Sequence, residues 1–166
     1  MMAGLPGTGK STLALEIGKR LGWPVIDKDT FKATLLESGM AEEVAAGLAY
    51  ELAFALAEDF LLHQRLSVVL DTPLLHPRTM DHAIQLARSA NARLKVIMCQ
   101  CIDELRDQRM QLRQGRVSQP RGIYDVGGSP VARFDYLPKD TLVVDTSGLS
   151  DKLAEQALAQ LKHSES

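Results

Sequence analysis

Residues 4–11, Gly-Leu-Pro-Gly-Thr-Gly-Lys-Ser, satisfy the pattern G-x-x-x-x-G-K-[ST] at every fixed position. Few short runs commit a chain so firmly. Glycines at 4, 7 and 9 allow a tight loop whose amides turn inward. A helix beginning at Lys10 adds its own unpaired N–H groups, which makes the loop a nest for phosphate. Such a loop joins a buried strand to a helix, and that pairing points to strands alternating with helices around a parallel sheet. Chance would match the four constrained positions in roughly one chain in two hundred of this length. Here the match also precedes a helical pattern, with Leu13, Ile17 and Leu21 four apart and Gly22 as the stop. Only Met1, Met2 and Ala3 come before the loop, so the first strand is expected as a truncated stub, from a shortened form or a misplaced start codon.

The rest of the chain keeps the alternation. Residues 23–27 form a short strand ending at Asp27, and Thr30–Glu37 a helix closed by Ser38-Gly39. A long Ala/Leu-rich helix runs from Ala41 to Gln64, with Val44, Leu48, Leu52, Leu56 and Phe60 as its apolar stripe. Leu66–Leu70 is a buried strand ending at Asp71. Arg78–Ala90 is helical, Leu94–Cys101 a strand, and Asp103–Gln114 helical again. Leu142–Val144 is the last strand, and Ser150 caps a final helix reaching about Lys162. Residues 115–139 carry Gly, Pro and Arg without a period and read as a lid with its connection to the last strand. No repeat or linker divides the 166 residues, so one domain is expected over 1–166, its lid region spanning 106–139.

Composition removes several classes. A net charge of −2 supplies no global basic field for nucleic acid, and no apolar run approaches a membrane span. Cys99 and Cys101 form C-x-C inside an apolar run, are not expected to share a disulfide or a metal, and read as buried reduced thiols of a cytoplasmic protein. The four histidines are spaced too far apart for a zinc site. A guanine-reading N-K-x-D is missing, and Asp125-Val126-Gly127-Gly128 follows the wrong strand for a GTPase switch. No pattern sets an oligomeric state.

What remains is ATP-dependent phosphoryl transfer, which needs a nucleotide cradle, magnesium, a base for the acceptor and mobile positive charge. The cradle is Gly4, Gly7, Thr8, Gly9, Lys10, Ser11 and Thr12: Lys10 reaches the outer phosphates, Ser11 ligates magnesium, and the Ser11 and Thr12 amides serve the inner phosphates. Ligands bind beyond the carboxyl ends of parallel strands, so Asp29 and Asp27 are candidate bases. Asp29 is preferred, with Lys32 one turn away on the same cleft; its competing role is the N-cap of the next helix. Asp71 stands at the equivalent edge of the next strand, to orient magnesium or contact the acceptor. Arg106, Arg109, Arg113 and Arg116 recur on one ridge entering the lid, and Arg109 and Arg113 are preferred as the clamp on the phosphates.

Taken in order, "GLPGTGKST", "DKDTFK", "VVLDTP", "QRMQLR" and "LVVDTSG" resemble the P-loop kinases related to polynucleotide 5′-hydroxyl kinase, chloramphenicol phosphotransferase and zeta toxin, an ATP-binding AAA-type kinase-like domain. The resemblance spans Gly4 to about Gly148. It implies a three-layer α/β/α P-loop NTPase fold with a five-stranded parallel sheet in the order 2-3-1-4-5 and a helical lid. It implies Asp29 as general base, Arg109 and Arg113 as lid arginines, and Asp145, Thr146 and Ser147 beside the adenine. The expected activity is transfer of the γ-phosphoryl group of ATP to a hydroxyl of a small molecule. Lys32 stands where the polynucleotide enzymes carry arginine, which weakens a bidentate grip on an acceptor phosphate and disfavours a nucleic-acid substrate. A polynucleotide 5′-hydroxyl kinase, or an ATP-binding regulatory or toxin-type module with little turnover, are the alternatives.

Overall fold

The computed structural model describes residues 1–112, 134–148 and 151–163. Its elements follow the expected alternation: β1 (Met2–Ala3), α1 (Lys10–Leu21), β2 (Val25–Asp27), α2 (Lys28–Glu37), α3 (Glu42–Glu58), β3 (Val69–Asp71), α4 (Pro77–Ser89), β4 (Ile97–Gln100), α5 (Asp103–Leu112), β5 (Leu142–Asp145) and α6 (Asp151–His163). The expected helix to Gln64 stops being α-helical at Glu58 and finishes as a π-helical turn, Asp59–His63.

All strand pairs are parallel, but they form two sheets: β1-β4-β5 and β2-β3. The pairings agree with the expected order within each half, whereas the continuous five-stranded sheet is not formed. The seam falls between β3 and β1, and the length of β1 explains it. Two residues already paired with Ile97 and Met98 leave too little strand for a second ladder. One backbone bond spans the seam just past the strand ends, from Gly4 N–H to the Pro73 carbonyl at 3.4 Å.

Side-chain alternation along the strands separates the two faces. Met2, Val69, Ile97 and Val144 pack with Leu13, Ala14 and Ile17 of α1 and Ala154 and Ala157 of α6. The next residues along, Ala3 and Leu70, turn to the opposite face, where Leu70 and Ile26 meet Phe54 of α3 and Leu86 of α4. Helices therefore cover both faces in three layers.

The apolar stripe expected from Ala41 to Gln64 is only partly turned to the core, where Leu56 and Phe60 pack. Val44 and Leu52 are exposed, while Ala45, Ala49, Ala53 and Ala57 are buried. Small residues let α3 lie close along α2 and the sheet, with Phe54 the one large side chain buried among them. The competing role weighed for Asp29 belongs to Asp27. Asp27 is the N-cap of α2, and its carboxylate accepts the Asp29 N–H at 2.9 Å. Of the expected lid, residues 106–112 lie in α5 and residues 134–139 lead towards β5. Arg113, Arg116, the 125–128 run and Ser150 lie outside the described residues.

Candidate active site

Beyond the end of β1 the chain turns through the glycine loop into α1. Gly4 (φ 130°) and Gly7 (φ 84°) adopt backbone that side chains resist. A Cβ on Gly4 would lie 2.4 Å from the Cys99 carbonyl oxygen, and one on Gly7 would lie 2.9 Å from Arg106 and 3.0 Å from Met110 of α5. The loop is thus pressed against β4 and α5, and glycine is required at both points. Gly9 caps α1 without a side-chain hydrogen bond, so the first amides of the helix are left for a ligand.

Inside the loop, three donors converge on the Leu5 carbonyl: Lys10 Nζ at 2.8 Å, the Thr8 hydroxyl at 2.7 Å and the Thr8 N–H at 3.3 Å. Lys10 is almost fully buried. Beside it lies Asp71, 4% exposed, which accepts a hydrogen bond from the Ser11 hydroxyl. Burial holds the Asp71 carboxyl above the usual carboxylate range. The Ser11 hydrogen bond and Lys10 pull it back, and Asp27 and Asp29 push it up further. Register explains the crowding, since Asp27 pairs with Asp71 at the carboxyl ends of β2 and β3.

Two residues brace the loop from the other side. Thr146, fully buried just after β5, donates its hydroxyl to the Thr8 carbonyl at 2.5 Å and lies 3.0 Å from the Gln100 carbonyl. Arg109 of α5 donates from Nη2 to the Thr146 carbonyl at 2.8 Å. Its Nη1 is buried without a protein partner, beside Gly9. That leaves a guanidinium donor at the mouth of the amide nest, whereas the Thr146 hydroxyl is engaged within the loop and away from any open face. Cys101 touches the loop as well, its sulfur 4.0 Å from the Gly7 carbonyl; both cysteines are free thiols, and burial pushes Cys99 up to about 12.

The neighbourhood of Asp29 is built differently. Asp29 forms a 2.8 Å ion pair with Lys28, whose ammonium also lies 5.0 Å from the centroid of the Tyr50 ring. Lys32, expected beside Asp29, pairs instead with Glu42 at the start of α3, at 2.9 Å. Thr12 is exposed on the first turn of α1. Lys28 and Tyr50 were not singled out in the sequence, since no local spacing joins them. Of the histidines, His82 stacks on Phe54 with ring centroids 4.1 Å apart.

The Ser11 hydroxyl and the Asp71 carboxylate are hard oxygen donors side by side at the cradle. That set suits magnesium, which binds through one or two protein oxygens and completes its shell with water and phosphate.

This arrangement of a glycine loop at the first helix, strand-end aspartates and an arginine-bearing helix beside the loop is that of a P-loop kinase fold. The chain belongs to the AAA domain family (AAA_33), which matches residues 1–122. Similar solved structures include a gluconokinase from Sinorhizobium meliloti 1021, at 20% identity and a TM-score of 0.62 over 98% of this chain and 90% of the other. A sugar kinase from Janibacter sp. HTCC2649 aligns at 18% identity and a TM-score of 0.67, covering 97% and 92%. The APS kinase of Mycobacterium tuberculosis, solved with AMPPNP and APS, aligns at 14% identity and a TM-score of 0.64, covering 97% and 95%. No curated protein matches the chain.

Proposed function

We propose that this protein is an ATP-dependent kinase, a single domain over its whole length, which transfers the γ-phosphoryl group of ATP to a hydroxyl of a small molecule in the cytoplasm. The observation that carries the reading is the meeting of Lys10, Ser11 and Asp71 at the glycine loop, with the strand-end carboxylates Asp27 and Asp29 close enough to act on Asp71. The small-molecule kinases among the similar folds support the same choice of acceptor.

In this reading the amides of residues 7–12 grip the inner phosphates, and Lys10 leaves the Leu5 carbonyl for the β- and γ-phosphates. Ser11 and Asp71 would hold magnesium, which when bound neutralises charge on the phosphate oxygens. Arg109 turns its unpartnered Nη1 to the migrating group, joined by Arg113 from the lid. Asp29 takes the proton of the acceptor hydroxyl as its oxygen bonds to the γ-phosphorus and the bond to the β-phosphate oxygen breaks, releasing ADP. Lys32 and Asp71 border the acceptor, and Thr146 fixes the loop beside the base of the nucleotide.

The test is a radiolabelled ATP assay over a panel of sugars, sugar acids, polyols and nucleosides, with 5′-hydroxyl oligonucleotides as a separate arm. With the acceptor the panel returns, Asp29→Asn should lower kcat by about 10²–10⁴-fold and leave AMPPNP affinity unchanged. Near-full activity in that variant would remove Asp29 as the base. Transfer confined to oligonucleotides, with steep dependence on salt, would replace the small molecule by a nucleic acid.

A further inference from the structure

Lysine is an unexpected residue at the first position of α2. A cation there opposes the helix dipole, and lysine is rarely buried without a partner. Yet Lys28 is only 8% exposed. Residues adjacent in a helix do not normally face each other, so the side chain must fold back along the helix start to reach Asp29 at 2.8 Å. It is held there from the other side by Tyr50 of α3, its ammonium 5.0 Å from the ring centroid. Tyr50 in turn is enclosed. Burial pushes its phenol well above the usual range, and the neighbouring Asp29 and Tyr136 push it further.

The surroundings explain what this locally unfavourable choice achieves. Three carboxylates, Asp27, Asp29 and Asp71, crowd one strand edge, and a triphosphate would add further negative charge. Asp27 is committed to the α2 N-terminus, and Asp71 accepts from Ser11. Asp29 pairs with Lys28, whereas Lys32 is drawn off to Glu42. Repulsion among these negative charges favours an Asp29 carboxylate turned to solvent, and the Lys28 ammonium opposes it. We propose that Lys28, clamped between Asp29 and the face of Tyr50, is the positioning residue that keeps the Asp29 carboxylate aimed at the acceptor. This rests on the kinase reading above and extends it to two residues given no role by the family resemblance, Lys28 within the DKDTFK run and Tyr50 outside it.

The test uses magnesium and ATP alone, with water standing in for the acceptor, and magnesium–AMPPNP as the binding probe. Lys28→Met should lower the hydrolysis kcat by about 10–100-fold, the scale of a small misplacement, with AMPPNP affinity unchanged. Lys28→Arg, which also stacks and pairs, should restore most of the rate. Tyr50→Phe keeps the ring face and should behave as the parent. Tyr50→Leu should fall with Lys28→Met, and the double variant should be no worse than either single one. Undiminished turnover in Lys28→Met, or no recovery in a folded, AMPPNP-binding Lys28→Arg, overturns this assignment alone. A parent protein that neither binds AMPPNP nor hydrolyses ATP overturns the kinase reading and this inference with it.

Discussion

At the phosphate end of the site, residues 4–11 are held by main-chain and buried contacts: Leu5 accepts three donors, Thr146 grips the Thr8 carbonyl, and β4 and α5 leave no room for a side chain at Gly4 or Gly7. At the proposed acceptor end, Asp29 pairs with a lysine steadied on a tyrosine, and Lys32 is tied to Glu42, whose side chain is 76% exposed. The first end is contiguous in sequence and determined many times over, as suits a triphosphate whose shape never varies. The second is assembled from side chains of α2 and α3, and ion pairs with an exposed partner add only about 0–1 kcal/mol of stability. On the proposed reading, the contrast teaches that the nucleotide site is built into the backbone, while the acceptor site depends on a few side chains.

The comparison breaks first, and most visibly, at Arg109. Arg109→Ala removes the free Nη1 while leaving the amide nest and Lys10 in place. Single-turnover phosphoryl transfer should fall by about 10³–10⁵-fold, the value of arginines that act on a migrating phosphoryl group. AMPPNP affinity, measured by titration calorimetry, should drop far less. Equal losses in affinity and turnover would make Arg109 a brace of the loop through Thr146 and nothing more. A smaller effect is expected from Thr146→Val. It leaves the Thr8 carbonyl short of a donor at a buried point, while the Gln100 carbonyl keeps the backbone N–H of residue 146, and the loss costs about 1–3 kcal/mol. Urea unfolding reads that loss directly. If stability is unchanged, the phosphate end is less tightly determined than its contacts imply.

Sequence reading served the two ends unequally, for the same reason. The glycine loop, Lys10 and Ser11 were legible because eight adjacent residues encode one backbone shape. Asp27, Asp29 and Asp71 were found because parallel strands place their carboxyl ends at a common edge, which the pairing of Asp27 with Asp71 reproduces. Lys28 was not legible, since its partner Tyr50 lies on another helix and only packing brings the two together. Lys32 was assigned to the cleft by its spacing from Asp29, but spacing along α2 carries no information about Glu42 on α3. On α3 itself, weighting by hydrophobic bulk drew attention to leucines, whereas close helix packing selected alanines. The split of the sheet was equally hidden. It depends on whether a two-residue strand can support ladders on both edges, and the alternation of elements says nothing of that.

Asp71 sits where the two ends meet, and the smallest predicted effect, of opposite sign, concerns it. Burial, Asp27 and Asp29 raise its pKa against the pull of Ser11 and Lys10, so the folded protein binds this proton more tightly than the unfolded chain does. The sign follows. Below the unfolded value near 3.9 the carboxyl is neutral in both states and costs nothing. As pH rises through the folded value, its stabilising protonation is lost and an ionised buried group remains. Asp71→Asn should therefore be more stable than the parent at pH 8 by about 0.5–2 kcal/mol, the gain common when a functional position is relieved. The margin should shrink on acidification, as thermal unfolding at a series of pH values would reveal. Saturating magnesium–AMPPNP should reverse the order, because a ligand that binds the folded parent more tightly raises its apparent stability in proportion. If Asp71→Asn is the less stable protein without ligand, the Ser11 hydrogen bond and Lys10 outweigh burial, and Asp71 belongs with the firmly braced phosphate end.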